Sequence, residues 1–287
     1  MSVQLLKSHK TFNGLTQFWE HDSSSTKTKM KFSTFIPTGK VNGCIVWLSG
    51  LTCTDENFIT KAGAQKYLER AGLMVICPDT SPRGLQLPGE HDSYDFGSGA
   101  SFYVNATVPG YADHYQMYTY VASELPQLLQ QHFKVPGDKI SIMGHSMGGH
   151  GALVIGLRNP QVFQSVSAFS PITNPTQCPW GQKALPGYLG AEQSAWQNYD
   201  ATVLVNNGKT HLHAILIDQG TKDEFYEKKQ LLPENFEEAC RSKGQALKLN
   251  YREGYDHSYY FISTFIESHI EHHAQVLCEN KNWVLGL

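Results

Sequence analysis

The chain has 287 residues, with 23 Lys plus Arg against 26 Asp plus Glu and a formal net charge of -3. A charged fraction of only 17%, with no excess of basic residues, excludes a general nucleic-acid binder, which gathers positive charge on one face. A chain of this length buries about three-quarters of its unfolded surface, so it needs no disulfide or metal staple, and one α/β domain over 1–287 is expected.

The first forty residues predict antiparallel strands at 15–21 and 30–36, both alternating, with the polar run Ser23-Ser24-Ser25-Thr26 as the turn between them. From residue 43 the pattern changes. Apolar runs at 44–48, 73–77, 140–143, 164–169, 212–217 and 246–251 read as strands buried on both faces. Between and after them, helices are expected at 61–71, 115–132, 147–158, 233–243 and 259–275, with Pro126 calling for a kink or a later start in the second. The alternation predicts an α/β fold with a mostly parallel central sheet, antiparallel strands at its N-terminal end and helices on both faces. Two stretches break it. Residues 79–114 and 171–187 are rich in turn formers and follow the carboxyl ends of strands, where open α/β sheets bind ligands.

The apolar runs are far below the ~20 residues that span a bilayer, and residues 1–10 lack the apolar core of a signal peptide, so no membrane association is expected. Six cysteines, at 44, 53, 77, 178, 240 and 278, show no CxxC pair and no zinc-like spacing. Free thiols and a cytoplasmic location are the expectation.

Gly144-His145-Ser146-Met147-Gly148 matches G-x-S-x-G, and its context makes the match specific: a predicted strand runs into it and an apolar helix leaves it. Such a strand-to-helix turn lifts the serine hydroxyl to the edge of the sheet, at the positive end of the helix. The competing reading, an ordinary helix N-cap, does not require glycine on both sides.

A serine needs a base to take its proton, and the base needs an orienting carboxylate. In this architecture the chain order is Ser, Asp or Glu, His. His257 follows the last predicted strand and precedes the final helix, which selects it from 13 histidines. His145 and His150 are fixed beside the serine, His211 and His213 sit at the wrong end of a strand, and His269, His272 and His273 read as a solvated helix face. For the carboxylate, three candidates stay open. Asp218 would end its strand and cap the loop through Asx bonds, Asp223 has reach from the loop, and Asp256 adjoins the histidine itself. The oxyanion would be held by the backbone N–H of Met147 and by that of Leu51, where Gly50 lets the chain turn inward.

Four motifs together carry a family resemblance. They are Leu48 to Thr54, Gly144 to Leu153, Asp218-Gln219-Gly220 with Asp223 and Phe225, and Gly254 to Phe261. With the acidic, aromatic run Tyr94-Asp95-Phe96-Gly97, the chain resembles the S-formylglutathione hydrolases of the esterase D family over nearly its whole length. The resemblance implies an α/β-hydrolase fold, a Ser146–Asp223–His257 triad and hydrolysis of a glutathione thioester to formate and glutathione in formaldehyde detoxification. It also implies side activity on short-chain esters, a homodimer, and no metal or organic cofactor. Cys53, where the family carries a cysteine, is either a thiol close to Ser146 or a small packing residue. Trp180 is a candidate wall for a small acyl pocket. The rival readings are a general short-chain carboxylesterase, an acyltransferase on the same scaffold, and a non-catalytic binding protein, whose usual mark would be a lost triad member.

Overall fold

The computed structural model describes residues 2–278. Its centre is a nine-stranded sheet in the order β1-β2-β3-β5-β4-β6-β7-β8-β9. The strands are β1 (Val3–Thr11), β2 (Gly14–Asp22), β3 (Lys29–Ile36), β4 (Gly43–Leu48), β5 (Leu73–Pro78), β6 (Ile140–His145), β7 (Phe163–Phe169), β8 (Ile215–Gly220) and β9 (Leu247–Arg252). β1 to β3 pair antiparallel with one another and β3 with β5, while β5 through β9 are parallel. The fold is therefore the expected α/β arrangement.

The uninterrupted apolar runs lie where both faces of the sheet are covered: every residue of β4, β5, β6 and β8 is buried. One apolar layer, with Phe32, Ile142, Leu153 and Val166, packs under the helix Met147–Arg158. The other, with Trp47, Phe58, Phe169 and Ile266, packs under the C-terminal helix Tyr259–Leu277. β1 escaped the sequence reading for a physical reason. Seven of its nine residues are exposed, so neither face is set apart by apolar alternation.

Four other expectations are corrected. The helix foreseen at 115–132 begins with a short turn at Met117–Thr119, widens into a π-helical turn at Tyr120–Glu124 and continues as Leu125–His132. Pro126 thus falls in the first turn of the last piece, where a backbone N–H is not required. The segment 171–187 is largely helical, with a 3-10 turn at Pro175–Gln177 and the helix Pro179–Leu189. The strand foreseen at 212–217 starts at Ile215 and runs on to Gly220, which places Asp218 inside it. The run 61–71 is two helices, Glu56–Lys61 and Gln65–Ala71.

The chain leaves β4 toward β5 on one side and later returns to β6 on the other, so strand order reverses between these neighbours. Leu48 of β4 lies opposite Gly144 of β6, which brings the loop after Leu48 and the turn at Ser146 together at the carboxyl edge.

Candidate active site

Ser146 stands between β6 and the helix Met147–Arg158 with φ 58° and ψ -119°. A non-glycine residue held there is strained, and the strain persists because the surroundings leave the chain no alternative. A Cβ at Gly144 would lie 2.1 Å from the Gly148 carbonyl oxygen, and one at Gly148 would lie 2.0 Å from the Leu48 carbonyl oxygen. The two glycines are therefore the condition for the helix to start this close to the sheet. Gly50 is less tightly placed, but a Cβ there would still meet the Ser146 Cβ at 3.2 Å. This contact sets the backbone of residues 50–51 beside the serine.

Asp223 is fully buried and caps the short helix Glu224–Glu227. Its Oδ1 accepts the Phe225 N–H at 2.9 Å and the Tyr226 N–H at 3.3 Å, while its Oδ2 accepts from Gln219 Nε2 at 3.3 Å and from His257 Nδ1 at 2.5 Å. The backbone bonds lock one oxygen and so aim the other at the imidazole. Burial by itself would raise the Asp223 pKa, but the bond from His257 and its charge, with the Phe225 N–H, hold it below the usual carboxylate value. With Nδ1 turned to the carboxylate, Nε2 is left as the acceptor.

The alternatives for the carboxylate resolve physically. Asp218 does not cap a loop through Asx bonds, as the sequence suggested. It lies within β8, fully buried, and its carboxylate accepts from Asn250 Nδ2 at 2.7 Å and Arg252 Nε at 2.9 Å. Asp256 folds back on the Ser258 N–H at 3.0 Å and hydroxyl at 2.6 Å.

The histidine expectations divide in the same way. His150 is buried against the Phe102 carbonyl at 2.9 Å. His145 does come to the site: its ring centroid lies 4.4 Å from that of His257. Burial, and then the His257 charge, keep its pKa well below the ordinary histidine value, so a neutral ring packs on the His257 imidazole. Spacing could not reveal this, because a residue beside the nucleophile meets the base only after β8 and β9 have been brought alongside. His269 and His273 are not solvated, contrary to expectation. They are buried and face the sheet, where His269 Nδ1 lies 2.9 Å from the Ser167 hydroxyl and the two nitrogens of His273 lie 2.7 and 2.8 Å from Ser165 and Ser167. His272 Nε2 lies 3.2 Å from the Val166 carbonyl oxygen.

A cavity of about 330 Å3 opens at this edge, lined by Ser146 and His257, by Gly50, Leu51 and Cys53, and by Trp180 and Phe225. No hydrogen bond joins the Ser146 hydroxyl to His257 among the described residues; such a contact is often long before substrate binds. Trp180 and Phe225 follow one another toward the imidazole, with tilted rings 4.7 Å apart at their centroids and Phe225 edge-on to His257 at 4.7 Å. Tyr94, from the long loop after β5, reaches the same wall, its hydroxyl accepting from the Trp180 indole at 3.3 Å. The Cys53 thiol faces the cavity, but burial raises its pKa against the opposing pull of Lys61, so it is held as the less reactive thiol. The cavity thus brings together a hydroxyl at a strained turn and an oriented imidazole, with the backbone of Gly50 and Leu51 alongside, which suits acyl transfer. Asn57 and Lys61 also line it, and nothing in their sequence spacing marked them.

The family described as "Putative esterase" matches residues 23–272. The S-formylglutathione hydrolase of Rattus norvegicus is 52% identical over 280 residues, covering 96% of this chain and 99% of its own. That of Arabidopsis thaliana is 52% identical over 275 residues, covering 94% and 96%. The solved S-formylglutathione hydrolase of Agrobacterium tumefaciens superposes with a TM-score of 0.92 at 44% identity, covering 95% of this chain and 99% of that one.

Proposed function

The chain belongs to the S-formylglutathione hydrolase family of esterases, and from that premise we propose that it hydrolyses S-formylglutathione to formate and glutathione, with side activity on short-chain esters. The observation that carries the reading is the Asp223–His257 pair at 2.5 Å, opening on the same cavity as a serine held at φ 58°.

The reaction proceeds in two halves. His257 Nε2 takes the Ser146 proton as Oγ attacks the formyl carbonyl, and the oxyanion sits between the N–H groups of Leu51 and Met147. Each of these donors contributes roughly 3–4 kcal/mol to the transition state. Asp223 holds the imidazole tautomer and stabilises the imidazolium. His257 then protonates the departing glutathione sulfur, leaving a formyl-serine ester. Water, deprotonated by His257, releases formate and restores the serine. Trp180 and Phe225 wall the acyl side and favour a small acyl group, since binding energy spent on a larger chain is not available there. The enzyme acts in the cytoplasm, as one domain that pairs as a homodimer.

Steady-state comparison of S-formylglutathione with S-lactoylglutathione and short aryl esters tests the assignment. The formyl thioester is expected to give the highest kcat/KM. A clear preference for an aryl ester would remove the physiological substrate and leave a general carboxylesterase.

A further inference from the structure

The cavity holding Ser146 continues past the nucleophile. A second cavity of about 650 Å3 shares Lys61, Ser258 and Tyr259 with it and is completed by Tyr260 and Ser263. Among the described residues lining the two, Lys61 is the one Lys or Arg, and no Asp or Glu lines either. Lys61 closes the helix Glu56–Lys61, and its ammonium lies 5.8 Å from the Tyr259 ring centroid. It makes no ion pair among the described residues. On the other flank of His257 a cavity of about 360 Å3 is lined by Lys222, Glu224 and Asp256, so both signs of charge meet there.

The thiol half of the proposed substrate has two unlike ends. Its glycyl end carries a carboxylate alone, whereas its γ-glutamyl end carries a carboxylate and an ammonium. In a cavity with one lysine and no acid, the γ-glutamyl ammonium would face a like charge without a partner. The glycyl carboxylate has no such cost. Tyr260, which is 85% exposed, supplies an aromatic wall for the peptide part of this arm.

We propose that Lys61 is a specificity-determining residue that holds the glycyl carboxylate of the glutathione thioester in the cavity walled by Tyr259, Tyr260 and Ser263. This inference rests on the thioesterase reading above. A lysine at a helix C-terminus also complements the helix dipole, and that role would be blind to the charge of the substrate.

The test compares wild type, Lys61→Met and Lys61→Arg on three substrates. These are S-formylglutathione, its analogue with the glycyl carboxylate converted to a carboxamide, and p-nitrophenyl acetate. Wild type should prefer the acid to the carboxamide by about tenfold in kcat/KM, mostly through KM, the size of one modest charge contact. Lys61→Met should bring that ratio close to one, and Lys61→Arg should keep most of it. The loss on the formyl thioester should also exceed any loss on the aryl ester. If the acid-to-carboxamide ratio is the same in wild type and Lys61→Met, or if all three substrates fall together, the inference is overturned and the thioesterase reading stands. If wild type turns over the aryl ester but not S-formylglutathione, both fall.

Discussion

Two Ser–His–Asp arrays draw on neighbouring strands of the sheet in this molecule, the one after β6 and the other on β7 and β8. At the carboxyl edge of the sheet stand Ser146, His257 and Asp223 around a cavity. Beneath the C-terminal helix, Ser167, His269 and Asp218 follow the same order: the Ser167 hydroxyl lies 2.9 Å from His269 Nδ1, and His269 Nε2 lies 3.8 Å from Asp218 Oδ2. The second array is sealed. All three residues have zero exposure, Ser167 sits in a regular strand between two imidazoles, and the His269 ring stacks on Phe169 at 3.7 Å. Asp218 is occupied by Arg252 and Asn250. The difference teaches that residue type and order do not make a nucleophile. What counts is a hydroxyl at a strained, accessible turn, an imidazole with a free nitrogen facing it, and backbone donors at the place where charge develops.

The contrast breaks most sharply at the serines. Ser146→Ala should lower kcat on S-formylglutathione by about 10^4-fold or more while the fold is kept. Ser167→Ala should keep kcat within about threefold, yet lower the melting temperature, since burying ring nitrogens without a partner costs ~1–3 kcal/mol. Comparable kcat losses in the two variants would erase the distinction.

The carboxylates sharpen it next. Asp223→Asn should cost about 10^3–10^4-fold in kcat by favouring the wrong imidazole tautomer. Asp218→Asn should act on stability instead, by about 2–3 kcal/mol in denaturant unfolding, below the ~3–5 typical of a fully buried pair because Arg252 reaches solvent. A normal midpoint for Asp218→Asn would show that its ion pair contributes nothing.

Titration gives the most distributed effect. Burial lowers the pKa of His21, His145, His150, His269, His272 and His273, to about 4 for His150 and His272. The unfolded chain takes up protons near pH 6.5 that these folded sites refuse. Their contribution to stability is therefore complete above about pH 6.5 and is lost as pH falls toward the folded values near 4. Denaturant midpoints should hold from pH 8 to 7 and decline from 6.5 downward, with proton uptake on unfolding. A flat profile from pH 7 to 5 would mean that these rings are protonated in the folded state.

Much of this was legible in the residues. Apolar runs marked six of the nine strands, because a strand covered on both faces must be apolar throughout, and alternation marked β2 and β3. The elbow was visible because only glycine fits where Gly144 meets the Gly148 carbonyl and Gly148 the Leu48 carbonyl. β1 was not, since an edge exposed on both faces has no pattern to read. The seven-residue stretch His269–Gln275 shows the opposite failure: its histidines carry the polarity of a solvated face, and the serines that meet His269 and His273 come from β7, more than a hundred positions away.

The sequence by itself determined the α/β alternation, the strained turn at Ser146 and the chain order of serine, carboxylate and histidine, because each follows from local chain geometry or from the burial a strand requires. Only the tertiary structure decided which aspartate meets the imidazole, that His145 packs on His257, and that Lys61 borders the cavity without an acid partner. Those outcomes depend on which loops the strand order brings to one edge and on which polar groups find partners once water is gone, and neither is written in spacing along the chain.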